Sequence, residues 1–198
     1  MIITRTPFRI SFFGGGTDYP SWYKENGGAV LATSIDKYCY ISIRYLPPFF
    51  EHRHRIVYSK VEHVTSINEI QHPTVKAILN ELNPKNGLEI HHDGDLPARA
   101  GLGSSSSFAV GLLNAINALG GRRSTKKELA AHATYIEQEI MKENVGCQDQ
   151  ITTAYGGFNI IKFEPDGTKH LSPIITNLGN IHNLGDSMLL FYTGVSRF

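Results

Sequence analysis

The sequence predicts an α+β fold, a mixed sheet with packed helices, and two stretches carry most of that prediction. Between residues 38 and 44, Cys39, Ile41 and Ile43 alternate with Tyr38, Tyr40, Ser42 and Arg44, the period of a strand with one face buried. Between residues 108 and 119, Phe108, Leu112, Leu113, Ile116 and Leu119 recur at helical spacing, so one stripe of that segment faces a core. Shorter strand-like and helix-like runs interleave on either side. The 198 residues suffice for one sizeable domain, or one domain plus part of a second. Hydrophobic residues at 41% and charged residues at 19% are ordinary for a soluble protein. A formal charge of +1 argues against bulk attraction to nucleic acid or anionic membrane, so any anion must be held by a local site. Cys39 and Cys147 form neither a disulfide framework nor a Cys-x-x-Cys metal pair and fit a reducing compartment. The amino terminus lacks the apolar region of a signal peptide, and no run approaches the roughly 18 apolar residues that span a bilayer, so a cytoplasmic location is expected.

Taken in order, Ile10 to Phe13 read as a short strand running into the turn Gly14-Gly15-Gly16. Asp18 is placed to cap a helix with Pro20 just inside its start and a stop at Gly27-Gly28. Residues 29–35 and 37–45 read as two strands broken at Asp36, with Tyr38 and Tyr40 sharing a face as packing aromatics. Glu51-His52-Arg53-His54-Arg55 reads as a solvated basic turn: its His-x-His spacing mimics a metal site, but the neighbouring arginines repel a cation. His72-Pro73 opens a helix through Val75, Ile78, Leu79 and Leu82 that stops at Asn83-Pro84. Leu88 to Asp93 alternate as a strand, which sends His91 and His92 to opposite faces. Thr125-Lys126-Lys127-Glu128 is a capping box opening a long helix with Leu129, Ala133, Ile136 and Ile140 on one face. Glu137 falls at the edge of that face, where an ordinary surface charge and a partnered carboxylate both fit. A short helix that Asp149 could cap, a strand from Phe158 to Phe163, a hairpin at Asp166-Gly167 and an apolar strand from Ser187 to Tyr192 complete the chain.

The stretch with the clearest chemical meaning is Pro97-Ala98-Arg99-Ala100-Gly101-Leu102-Gly103-Ser104-Ser105-Ser106. Gly101 and Gly103 free the backbone for tight or left-handed conformations, and the serines occupy the first turn of the following helix. The N–H groups of that turn and the positive end of the helix dipole point back into the loop, which makes a phosphate cradle. An ordinary serine cap is the plainer alternative. No P-loop signature occurs, and Ser106 stands where a dinucleotide fingerprint has its third glycine, so neither a P-loop nor a Rossmann enzyme is expected.

This stretch resembles the second motif of the GHMP kinases (galactokinase, homoserine kinase, mevalonate kinase and phosphomevalonate kinase), Pro-x-x-x-Gly-Leu-x-Ser-Ser followed by Ala or Ser. Pro7 to Tyr19 resembles the first motif of the sugar-1-kinase branch, with Gly14-Gly15-Gly16 where galactokinases carry Gly-Glu-His. The triple glycine, and Tyr155-Gly156-Gly157-Phe158-Asn159, look like the heptose-phosphate kinases of bacterial surface-polysaccharide pathways. Gly146-Cys147-Gln148-Asp149-Gln150 resembles the family's Gly-x-x-Asp-Gln segment. The resemblance implies the GHMP amino-terminal fold, which is also similar to a ribosomal-protein domain. Residues 1–180 are then the ATP-binding domain and 181–198 the start of a carboxy-terminal domain that is largely absent, so the 198-residue chain alone is expected to turn over little.

The implied reaction is transfer of the γ-phosphoryl group of ATP to a sugar hydroxyl, with Mg²⁺ as cofactor. The implied acceptor is a heptose phosphate, D-glycero-D-manno-heptose 7-phosphate, phosphorylated at the anomeric position. By the same resemblance Asp149 is the catalytic base and Arg9 pairs with it and stabilises the transferring group. Pro97, Gly101, Leu102, Gly103, Ser104, Ser105 and Ser106 hold the ATP phosphates, and Ser105 and Glu137 hold Mg²⁺. Gly15, Gly16, Thr17, Asp18 and Tyr19 bind the acceptor, with Asp18 fixing the sugar. A phosphorylated acceptor needs a basic pocket, for which Arg5, Arg44, Arg53, Arg55 and Arg99 are candidates. The expected partners are small molecules, with no nucleic acid and no membrane, and a homodimer is left open. The alternatives are a kinase for galactose or fucose, or a non-catalytic sugar and ATP sensor; retention of Arg9, Glu137 and Asp149 argues against the sensor.

Overall fold

The computed structural model describes residues 1–97 and 100–191. Arg99 and the residues from Tyr192 onward therefore lie outside the described residues, as does the end of the expected strand 187–192.

The sheet is built on one long central strand. Strand β1 (Ile2–Phe12) runs antiparallel to β2 (Gly28–Tyr45) along almost its whole length, from Ile2 opposite Ile43 to Phe12 opposite Leu31. The other edge of β2 is shared: Cys39 to Tyr45 pair with β5 (Leu88–Gly94), and Gly28 to Thr33 pair with β6 (Phe158–Phe163). Strand β3 (His54–Val57) joins β5 in parallel and β4 (Val61–Val64) in antiparallel, while β7 (Lys169–Pro173) closes the far edge beside β6. The sheet is thus mixed, as expected.

Several readings are corrected: β1 begins at Ile2 and not at Ile10, and His54 and Arg55, expected in a solvated turn, lie in β3 because it pairs with β5, with His54 wholly buried. The expected break at Asp36 is absorbed within β2, where the register slips between Pro7 and Arg9 of β1 and the chain continues as one strand. The expected strand at 187–192 does not form over the described part: helix α6 (Leu178–Asp186) ends there, and Leu189, Leu190 and Phe191 lie exposed with no strand beside them. An apolar run supplies side chains for a strand, but not the neighbouring backbone that a ladder requires.

Helices cover one face of the sheet. Helix α2 (Pro73–Leu82) ends at Asn83 in the left-handed region, and α3 (Ser104–Leu119) lays Phe108, Leu112 and Leu113 against Ile41, Ile43 and Ile90 of the sheet. Helix α4 (Lys126–Tyr135) begins with the expected capping box of Thr125 and Glu128. It passes directly into a π-helical turn (Ile136–Ile140). Helix α1 (Pro20–Asn26) and α5 (Gln148–Tyr155) complete the layer, with Tyr23, Cys147, Ile151, Ile161 and Phe163 as a second cluster.

Close docking of α3 on β1 depends on Gly111. The Thr4 hydroxyl donates to the Gly111 carbonyl, and a Cβ at position 111 would lie 2.8 Å from the Thr6 Oγ1. Gly111→Val is therefore expected to destabilise the fold by about 1–3 kcal/mol, read as a lower urea midpoint with unchanged m value.

Candidate active site

Three chain segments converge at the amino-terminal end of α3. Gly101 and Gly103 both take left-handed conformations (φ 76° and 74°), and Gly103 is the residue that starts the helix. Arg9, from β1, pins this loop: its backbone N–H donates to the Leu102 carbonyl at 3.0 Å and its Nη1 to the Gly101 carbonyl at 2.8 Å. A Cβ on Gly103 would sit 2.8 Å from the Arg9 Cγ, so the strand and the loop touch without room for a side chain. The serines then divide their work. Ser107 is buried and donates to the Pro7 carbonyl, whereas Ser105 and Ser106 face Glu137.

Arg9 also grips Asp149 with both ends of its fork, Nε to Oδ1 at 2.7 Å and Nη2 to Oδ2 at 2.6 Å. Such bidentate pairing fixes orientation as well as distance. The arginine is largely buried, while Asp149 in the first turn of α5 retains about a quarter of its side-chain exposure, 27%, which leaves it open to a ligand. Asp149 does not cap the helix; Cys147 holds that position without a side-chain bond.

Glu137 is 2% exposed and not a surface charge. It lies in the π-helical turn, one turn after the fully buried Ala133 and next to the fully buried Ile136, so it continues the buried face of α4. Its carboxyl accepts from Ser106 Oγ at 3.1 Å and from the Gln150 amide, with Ser105 Oγ at 3.4 Å. Burial pushes the Glu137 carboxyl up to about 7, against the Gln150 and Ser106 hydrogen bonds that favour the charged form. The nearby charges of Glu143 and Asp149 add to the rise. The folded carboxyl keeps its proton up to about pH 7, while the unfolded one loses it near the ordinary 4.5. Stability without a divalent cation is therefore expected to be greatest at low pH within this window and to fall as pH rises through 7, by at most about 1.4 kcal/mol per pH unit. Urea midpoints across that range should slope downward for the parent chain and flatten in Glu137→Gln.

These groups line one cavity of about 310 Å³, at the small end for a small-molecule site. Of the residues expected from the sequence, Arg9, Asp149, Ser105, Ser106 and Glu137 line it, and so do Gly15, Gly16, Asp18 and Tyr19. Gly101, Leu102, Gly103 and Ser104 form the adjoining loop and helix start, and Pro97 leads into it. Thr17 lies off the cavity, its hydroxyl bonded to the backbone of Ala29. Asp18 does not cap α1, where Tyr19 stands at the N-cap; it is 1% exposed and turns inward instead. Gln148, Gln150 and Glu143 line the same cavity and were not singled out from the sequence. Their signal was their place beside Asp149 and after Glu137, which carries meaning only once α5 and the π-helical turn are seen to face each other.

The cavity holds four carboxylates, Asp18, Glu137, Glu143 and Asp149, against the single guanidinium of Arg9. Bare phosphates would be repelled there, and a divalent cation fits the donor set. Glu137 and Ser105 are hard oxygen donors, nothing cationic among the described residues bonds to Glu137, and the buried Gln150 Oε1 lacks a hydrogen-bond partner. Among the described residues, none of the other arginines considered for a substrate phosphate reaches the cavity. Arg44 and Arg55 pair with Glu89, Arg5 stacks on Tyr38, and Arg53 donates to the carbonyls of Pro84 and Lys85. His54 is likewise committed, its Nδ1 accepting from the Leu88 N–H inside the sheet.

Residues 68–157, somewhat under half of the chain, match the family described as GHMP kinases N terminal domain. The chain is 26% identical over 99% of its length to a D-glycero-alpha-D-manno-heptose 7-phosphate kinase of Campylobacter jejuni, covering 60% of that protein. It is also 26% identical, again over 99% of its length, to a galactokinase of Pyrococcus furiosus, covering 54% of it. The chain thus spans somewhat more than half the length of these curated relatives. Among solved structures, a D-glycero-D-manno-heptose 1-phosphate kinase from Bacteroides thetaiotaomicron superposes with a TM-score of 0.81 at 23% identity, over 93% of this chain and 63% of that one. That likeness establishes the GHMP amino-terminal fold, an α+β domain. No helix among the described residues is long and apolar enough to cross a membrane.

Proposed function

We propose that this chain is the nucleotide-binding part of an ATP-dependent sugar kinase whose acceptor is a heptose phosphate, D-glycero-D-manno-heptose 7-phosphate, phosphorylated at the anomeric hydroxyl. The observation that carries the reading is the bidentate Arg9–Asp149 pair in one cavity with Glu137 and the first turn of α3. The amides from Gly101 to Ser106 hold the β- and γ-phosphates, as helix starts hold anions generally. Ser105 and Glu137 would hold Mg²⁺, which neutralises charge on the phosphates when bound. Asp149 takes the proton of the acceptor hydroxyl as its oxygen bonds to the γ-phosphorus and the bridging bond to ADP breaks. Arg9 orients Asp149 and stabilises charge on the phosphoryl group in transit. Gly15, Gly16 and Tyr19 form the acceptor side of the cavity. The acidic lining suits the hydroxyl-rich end of a sugar, so the acceptor's own phosphate lies outside this cavity.

The likeness to galactokinases supports a second acceptor class, a neutral hexose such as galactose or fucose. Phosphorus NMR of products formed by the full-length protein with Mg·ATP and a panel of hexoses, heptoses and their phosphates separates the two. A heptose 1,7-bisphosphate product supports the proposal, a hexose 1-phosphate product supports the second reading, and no transfer to any sugar overturns both.

A further inference from the structure

The residue before Asp149 is tied on several sides without having a part in the reaction scheme. Gln148 uses both ends of its amide. Its Oε1 accepts from the Ser11 hydroxyl at 2.6 Å, and its Nε2 donates to Asp18 Oδ1 at 3.4 Å. Its backbone N–H donates to Asp18 Oδ2 at 3.1 Å, and Asp18 Oδ1 also accepts from the Gly16 N–H. One glutamine and one aspartate thereby join β1, the glycine turn and the first turn of α5.

The two glycines on either side are shaped to this contact. A Cβ on Gly146 would fall 1.8 Å from Asp18 Oδ2, and one on Gly15 would fall 2.0 Å from Gln148 Nε2. Ser11 and Arg9 are two residues apart on β1 and so point to the same side of the strand. They hold successive residues of α5, Ser11 taking Gln148 and Arg9 taking Asp149. Successive helical residues are turned by about 100° from each other, so two such grips fix the rotation of α5 about its axis where one would not.

We propose that Gln148 is a positioning residue that, with Asp18 as its partner, locks the rotation of α5 and so sets the direction in which Asp149 faces the acceptor. Asp18 is suited to hold the lock, because it is 1% exposed and both of its oxygens accept from it, Oδ1 from the Gly16 N–H and Gln148 Nε2 and Oδ2 from the Gln148 N–H. An amide suits position 148 because it accepts from Ser11 and donates to Asp18 at once, which a carboxylate or an ammonium could not. This inference rests on the kinase reading above.

The test is steady-state kinetics on the full-length protein with Mg·ATP and two acceptor probes, D-glycero-D-manno-heptose 7-phosphate and galactose. Gln148→Ala is expected to lower kcat about 10- to 100-fold, as loss of a group that orients a reacting residue does, with the acceptor KM changed by less than about threefold. Ser11→Ala, which removes one bond and little packing, should shift kcat in the same direction by a smaller factor and keeps the test available should Gln148→Ala not fold. Gly146→Ala should reproduce the Gln148→Ala effect, and the double variant should be no slower than the worse single one, as for residues acting as one unit. A raised acceptor KM at unchanged kcat in Gln148→Ala or Ser11→Ala would make the contact a direct sugar contact and overturn the proposal. So would multiplicative losses in the double variant, or parent kinetics in Ser11→Ala and Gln148→Ala. A parent protein that phosphorylates neither sugar overturns the kinase reading and this inference with it, whereas an active parent with indifferent variants overturns the inference alone.

Discussion

Asp149→Asn in the full-length protein is expected to lower kcat about 10²- to 10⁴-fold while leaving Mg·ATP affinity unchanged, because it removes the proton acceptor. Asparagine has nearly the shape of aspartate and can still accept one bond of the Arg9 fork through its remaining oxygen, but its amide nitrogen faces the other donor, so a lower melting temperature accompanies the change. The size of the fall in rate separates two roles. A carboxylate that only anchors Arg9 would cost stability and little rate. A base costs rate as well. Turnover at the parent level with normal nucleotide affinity would remove Asp149 from the reaction.

Arg9→Met should have the second largest effect, about 10²- to 10³-fold in kcat, the range for loss of a donor aimed at developing charge. It also acts on the fold. It strips Asp149 of both its charge-assisted hydrogen bonds and releases the Gly101 carbonyl, so a lower urea midpoint is expected as well, by about 1–3 kcal/mol. Arg9→Lys separates charge from geometry. A lysine restores the positive charge but cannot span both carboxylate oxygens and the loop carbonyl, so it should remain within about tenfold of Arg9→Met. Recovery to near the parent rate in Arg9→Lys would mean that the fork geometry is unimportant.

Much of the architecture was legible because it is periodic and local. The buried face of β2, with Cys39, Ile41 and Ile43 all wholly inaccessible, follows from simple alternation, and the start of α4 follows from Thr125 and Glu128. Strands β3 and β4 were not legible: each has four residues, and β3 forms because it pairs with β5, more than thirty positions away. Asp36 looked like a break since a charged residue interrupts the apolar pattern; the irregular pairing around Pro7 and Arg9 accommodates it at the surface. Glu137 sits at the edge of the apolar stripe in sequence, and only the serines of α3 and Gln150 of α5, brought from far along the chain, show that this edge is covered.

The candidate site was readable in a different way. No spacing rule connects Arg9 to Asp149, which are 140 positions apart, and their pairing was anticipated only through resemblance to a family. What resemblance did not supply was the support beneath them. Gln148 and Gln150 look like ordinary polar residues in sequence, and their work appears only when β1, the π-helical turn and α5 are brought together. Arg5, Arg44, Arg53 and Arg55 were open to a phosphate role by charge alone, and each proves to be occupied elsewhere.

The account stands on a nucleotide's terminal phosphates resting against the start of α3, opposite Asp149. Titration of the ¹⁵N-labelled full-length protein with Mg²⁺ and a non-hydrolysable ATP analogue tests this directly. The largest amide shifts should fall on Gly101, Gly103, Ser105 and Ser106, with smaller ones at Glu137 and Asp149 and none in the distant turn around His52. Saturable shifts that leave residues 101–106 untouched and cluster elsewhere would contradict it.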